Sequence, residues 1–118
     1  MNQKLPNSAE RSDSERLKML QRDAEKGIAR AQRHLANRFL RGRGVPSNPV
    51  RGAEWMRRAA EQGLPAAQRS YGELLEQGIG VTADLYGARQ WYEAAAMQGD
   101  PTARRHLERL RARPITGL

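Results

Sequence analysis

The residues of this chain with chemistry to offer are two histidines, a few carboxylates and a large excess of arginine. His34 and His106 lie 72 residues apart, and neither has an acidic or cysteine set beside it in sequence. A metal site needs several converging ligands, so no metal or other cofactor is expected. Glu73, Glu76, Asp84 and Glu93 form the one carboxylate cluster. Glu73 and Glu76 are three apart, which on a helix puts them on one face. Paired acid and base roles would also need a cleft and perturbed pKa values, and nothing in the sequence indicates either. Serine, threonine and histidine are too scattered for a nucleophilic triad. The Ser-x-x-Lys signature of penicillin-interacting enzymes is absent. With no cysteine, thiolate chemistry and disulfides are excluded. Gly42-Arg-Gly44 and Gly78-Ile-Gly80 resemble phosphate loops only superficially, because such loops follow a strand and carry a further glycine or lysine. The expectation is a protein without catalytic activity.

What remains is basic charge. The chain of 118 residues has a formal net charge of +8 and a pI near 11.0. Arg33, Arg69 and Arg105 share one register, 36 residues apart. Arg30, His34, Asn37, Arg38 and Arg41 border that row at its start, Glu73 lies beside Arg69, and His106, Arg109 and Arg113 border the row at its end. A guanidinium grips carboxylate or phosphate with two parallel hydrogen bonds, so the row is the candidate binding surface. Arginine also favours exposed helix positions for its propensity alone. The charge is uneven: residues 24–59 hold nine basic and two acidic residues, and residues 60–95 hold two basic and five acidic.

The elements that would position these side chains follow from the same step of 36 residues. It carries Trp55 to Trp91, Gly27 to Gly63 to Gly99, Gly42 to Gly78, Gly44 to Gly80 and Ala31 to Ala67 to Ala103. A fixed period of this length marks a helical repeat. Residues 1–13 are polar and expected to be disordered. A first helix is expected from a Ser14 cap to Gly27. A second spans Ala29 to Leu40, with apolar residues at helical spacing. Asn48 caps and Pro49 opens a third, which ends at Gly63. Pro65 opens a fourth, Asp84 takes the capping place of Asn48 for a fifth that ends at Gly99, and Asp100-Pro101 opens a sixth. Residues 114–118 read as a tail. Alanine at repeated positions lets helices come close, while Trp55, Trp91, Tyr71 and Phe39 are expected to fill the gaps between layers.

The pattern Ala-Gln-x-x-Leu/Tyr-Ala/Gly, Gly-x-Gly-Val, Asn/Asp, Trp-Met/Tyr-x-x-Ala-Ala-x-Gln-Gly resembles the Sel-1-like repeat, a branch of the tetratricopeptide superfamily. The resemblance covers about residues 16 to 112, with units at about 29–63 and 65–99 and half-units at both ends. It implies an all-α, right-handed αα-solenoid of about six helices in a domain over 14–113. It also implies a protein-binding scaffold that uses its concave face. Gly52 where Ala88 stands, Leu35 against Tyr71, and Arg104 in place of Gln32 and Gln68 depart from the pattern, and each is expected to weaken packing at one point.

The resulting expectation is a non-catalytic adaptor for a protein or peptide with an acidic surface. A basic nucleic-acid-binding accessory protein and a self-associating solenoid subunit are the alternatives. Arg57-Arg58, Arg104-Arg105 and the Arg41, Arg43 pair speak for nucleic acid. The lack of a known nucleic-acid motif, and the demand for tryptophan in packing rather than base stacking, speak against it. No stretch has the apolar length of a membrane span or the core of a signal peptide. A cytoplasmic location is therefore expected, with export by a dedicated machine left open.

Overall fold

The computed structural model describes residues 8–112, with side chains from residue 12 onward. Six helices follow one another: α1 (Ser8–Glu25), α2 (Ala29–Arg41), α3 (Pro49–Glu61), α4 (Pro65–Gln77), α5 (Leu85–Met97) and α6 (Pro101–Ala112). Among the described residues there is no strand. Each helix packs most extensively on its neighbours in sequence, and the body is drawn out to 72 × 26 × 20 Å. This is a helical solenoid, in which each layer is buried only by the next.

Local sequence sets the element ends. Asn48 accepts from the Arg51 N–H, Asp84 from Gly87 N–H at 2.9 Å and Asp100 from Ala103 N–H at 2.8 Å. Each cap satisfies a backbone donor that the first turn leaves open. Gly42 and Gly78 stop α2 and α4 with φ near +70° (69° and 70°), a left-handed conformation that costs a side chain dearly. α1 differs from expectation. It starts at Ser8 and passes through Ser14, so residues 8–13 are helical and Ser14 caps nothing. Asp13, inside this added turn, holds Arg38 of α2 through two hydrogen bonds of 3.0 and 3.1 Å. That tertiary anchor rewards a longer helix. Residues 1–7 and 114–118, expected to be unstructured, lie outside the described residues.

The core is built on alanine. Ala36, Ala53, Ala59, Ala67, Ala88, Ala95 and Ala103 are wholly enclosed. The largest wholly buried side chains are Tyr92, Leu35 and Met56. Trp55 and Trp91 are only half-buried. Trp91 meets Tyr71 edge-on at 5.7 Å, and Trp55 carries the Arg58 guanidinium over its ring. So the gap-filling expected of the tryptophans falls largely to Tyr92 and Met56, one register step further along the same helices.

Gly52 is not a defect. A Cβ there would stand 2.7 Å from Leu40 and 3.1 Å from the Ala36 carbonyl. In the next repeat the roles are exchanged: Gly72 faces Ala88, and its Cβ would stand 2.6 Å from Tyr92 and 3.2 Å from the Ala88 carbonyl. Each α2–α3 or α4–α5 crossing therefore takes one glycine and one alanine, on opposite helices. Arg104 weakens nothing either. Gln32 and Gln68 are buried and receive Gln62 and Gln98 at 2.8 and 2.9 Å. Gln62 and Gln98 also donate to the Gly27 and Gly63 carbonyls, each at 2.8 Å. Each amide pair ties together the two helices of one repeat, and the bond to the glycine carbonyl reaches back to the segment before it. On α6 no described helix follows to supply such an amide, and the exposed Arg104 meets solvent.

Candidate functional site

Helices α2, α4 and α6 carry the expected site residues, but the arginine row is divided by its partners. Arg69 lies 3.5 Å from Asp100 and 3.7 Å from Glu73. Glu73 also meets His106 Nε2 at 2.9 Å. Arg109 donates to both oxygens of Glu76, at 2.7 and 2.8 Å. Tyr92 donates its hydroxyl to Glu76 at 2.7 Å, and its ring stacks on His106 with centroids 4.6 Å apart. Glu73, Glu76, Arg69 and Arg109 thus saturate one another between α4 and α6.

Glu76 is the hub of this network. The hydrogen bonds from Arg109, and then that from Tyr92, hold its carboxyl down at about 2. The same pair raises Arg109. Tyr92 is pushed above its ordinary range first by burial and then by its bond to Glu76. A carboxylate fixed in the ionised form by two donors is a poor acid or base near neutrality. The one acidic cluster is therefore structural in character, and among the described residues no three metal-capable side chains converge.

The first repeat has no such compensation, and the period explains why. The position of Glu73 is held by Asn37, and that of Asp100 by Leu64. Arg33 consequently lacks both carboxylates that hold Arg69. Its Nε is enclosed without a hydrogen-bond partner among the described residues. Helix α2 has four arginines and no carboxylate. Arg30, His34 and Arg41 are exposed, and Asn37 is half-buried. His34 is held below its ordinary pKa, first by partial burial of the ring and then by Arg33, Arg30 and Arg38. At the far end Arg105 bonds only Thr102, at 3.2 Å. Of the expected row, the structure leaves available Arg30, Arg33, His34, Asn37 and Arg41 around α2, and Arg105 on α6.

Arg38, expected to border the row, and Arg43, read from the sequence only as part of a basic pair, share this surface. Arg38, aligned with Leu74 and Leu110, is where α2 breaks the repeat's apolar pattern, and Arg43 stands in the loop where the next copy has Ile79. The signal was present in that comparison. With Leu20, His34, Asn37 and Arg41 they line a hollow of about 210 Å³. An adjoining, more apolar hollow of about 480 Å³ is lined by Arg16, Met19, Leu20, Asp23, His34 and Arg38.

With this geometry described, likeness to other proteins can be placed. The Sel1 repeat family matches residues 29–64 and 65–100, more than half of the chain. The chain belongs to the Sel1 repeat family. It is 41% identical to a Sel1 repeat protein from Oxalobacter formigenes of known crystal structure, over 81% of this chain and 72% of that one, with a TM-score of 0.79. It is 34% identical to a protective antigen of uropathogenic Escherichia coli strains displaying an SLR fold, with a TM-score of 0.80. That alignment takes 82% of this chain but only 21% of the antigen. Helicobacter pylori cysteine-rich protein B shares the fold at 20% identity and a TM-score of 0.74, over 77% of this chain and 68% of that one. No curated protein matches the sequence. The Sel1 repeat match coincides with the two helix–loop–helix units α2–α3 and α4–α5, so α1 and α6 flank the matched repeats.

Proposed function

We propose that this Sel1 repeat chain is a non-catalytic adaptor that binds a protein or peptide segment on the side formed by its inner helices. The observation that supports this reading is the contrast between consecutive repeats. One scaffold carries a self-neutralised inner face at α4–α6 and an uncompensated basic one at α2. Unpaired arginine is costly to cluster and is stabilised by an acidic partner. Sel1 repeat proteins typically bind other proteins and are generally not catalysts. The saturated carboxylates of α4 accord with that.

Nucleic acid is the second reading, favoured by the +8 charge alone. The aromatic side chains that would stack on bases are largely engaged: Tyr92 and Tyr71 are buried, and Trp91 packs on Tyr71. End-to-end self-association would set α1, which mixes both signs of charge, against α6, which exposes Arg104, Arg105 and Arg111, and no observation favours it. Among the described residues no helix is long and apolar enough to cross a membrane.

The test is affinity capture from a lysate of the source cells with and without nuclease. The adaptor reading expects one dominant protein that survives nuclease and moderate salt. Recovery that vanishes with nuclease sinks it.

A further inference from the structure

The groove between α1 and α2 carries more than general basicity, and the protein's own third layer shows what fits such a place. At the α4–α5–α6 junction, His106 stacks on Tyr92 while Glu73 and Glu76 of α4 reach over to His106 and Arg109. One period from Tyr92 and His106 are Met56 and Ser70, and two periods are Leu20 and His34. Leu20 and His34 line both hollows of the α1–α2 groove. So Leu20 and His34 of the groove hold the registers of Tyr92 and His106 at the α5–α6 junction. Arg38, Arg41 and Arg43 come from α2 and the loop after it, while Arg16, Asp23 and the Arg38-bound Asp13 come from α1. The Asp13 carboxyl is held down first by its hydrogen bond from Arg38 and further by the charges of Arg43 and Arg16.

The registers of α1 do not suit close packing of a further repeat helix. Arg16 occupies the register of Gly52 and Ala88, where the paired inner helix comes so close that only a glycine or alanine is accommodated. Asp23 likewise holds the register of the wholly buried Ala59 and Ala95. Close helix packing at α1 would bury both charges, which is expensive without partners. The floor is nevertheless apolar at Leu20 and Met19, the latter 58% exposed.

We propose that the α1–α2 groove is a docking site for an acidic peptide segment of a partner protein. An apolar side chain of that segment rests on Met19 and Leu20, and its carboxylates meet Arg41, Arg43 and His34. This rests on the protein-binding reading above and gives it a place and a ligand chemistry. Charge complementarity selects the partner. Two neighbouring arginines without partners among the described residues, Arg41 and Arg43, offer a basic pair to the carboxylates of such a segment.

The test uses the full chain and a short fluorescein-labelled peptide of glutamate and leucine, followed by fluorescence anisotropy at physiological salt. The parent should bind with a Kd of ~10–100 µM. The glutamine–leucine counterpart, and the double variant Arg41→Glu with Arg43→Glu, should each bind about tenfold more weakly or worse. Both arginines are exposed, so the variant should melt as the parent does. Arg104→Glu with Arg111→Glu, two exposed arginines at the other end, should change Kd by less than about twofold. Equal affinity for the glutamate and glutamine peptides, or equal loss at both ends, overturns the groove. A single-stranded oligonucleotide that binds more tightly than the peptide and loses affinity in Arg41→Glu/Arg43→Glu assigns the groove to phosphate instead and overturns the peptide. A protein captured from lysate equally well by the parent and by that variant also overturns the groove, yet leaves protein binding standing.

Discussion

Replacing Glu76 by glutamine should destabilise the fold near neutral pH and do progressively less harm as pH falls. Glu76 takes two hydrogen bonds from Arg109 and one from Tyr92, and its folded pKa is about 2 against an ordinary 4.5. A depressed carboxylate pKa contributes stability that is complete above about 4.5 and is lost as pH falls toward 2. At about 1.36 kcal/mol per unit the ceiling is ~3.4 kcal/mol. Arg109 is 45% exposed, so solvent screens the pair. A cost of about 1.5–2.5 kcal/mol at pH 7 is the working figure. By linkage, roughly two-fifths of the effect should be gone at pH 3.5. Urea unfolding of the parent and Glu76→Gln at pH 7, 5 and 3.5, read by far-ultraviolet circular dichroism, measures it. At pH 7 the melting temperature should fall by several degrees, as ~1 kcal/mol shifts a domain of this size by about 4–8 °C. A stability difference below about 0.5 kcal/mol at pH 7, or one unchanged between pH 7 and 3.5, would refute the reasoning.

Other substitutions probe the packing. Gly52→Ala should destabilise by ~1–3 kcal/mol although alanine is the better helix former, because the new methyl strikes Leu40. Adding Leu40→Ala should relieve that clash, and thermal melts of both variants decide it. Gln98→Ala should cost ~1–2 kcal/mol by leaving the buried Gln68 carbonyl and the Gly63 carbonyl without their donor. A cost within ~0.3 kcal/mol of zero in urea would show that water replaces the amide. Tyr92→Ala should cost ~3–5 kcal/mol and exceed Trp91→Ala, because Tyr92 is wholly enclosed and Trp91 is not. The reverse order in chemical denaturation contradicts the assignment of the core.

The helices, their glycine stops and their Asn48, Asp84 and Asp100 caps were legible in the sequence because they depend on neighbouring residues. So was the family, because the period aligns long motifs. Four things were not. Glycine at 52 looks like a lapse until Gly72 is seen on the opposite helix of the next repeat, since small-residue packing belongs to a helix pair and not to a position. Tyr92, beside the more conspicuous Trp91, takes the core because its direction on α5 points between α4 and α6. The arginine row looked uniform because register says where a side chain starts and not what it meets. Arg69 meets Glu73 and Asp100; Arg33 faces Asn37 and Leu64 at the same steps. Shifting the partner residues by the period, as well as the arginines, would have shown that difference. The N-terminal reach of α1 was hidden for another reason. Residues 8–13 include the weak helix formers Ser8, Ser12 and Asp13, and the Arg38 that holds Asp13 lies 25 residues away in sequence.

The most direct measurement is a titration of the isotope-labelled chain with the glutamate–leucine peptide and, separately, with a single-stranded oligonucleotide, followed by amide chemical shifts at physiological salt. The account predicts peptide-induced shifts concentrated along α1 and α2, around Leu20, His34, Arg41 and Arg43, with α6 unmoved and with weaker, dispersed changes from the oligonucleotide. Shifts centred on Arg105 and Arg109, or a response to the oligonucleotide alone, would contradict it.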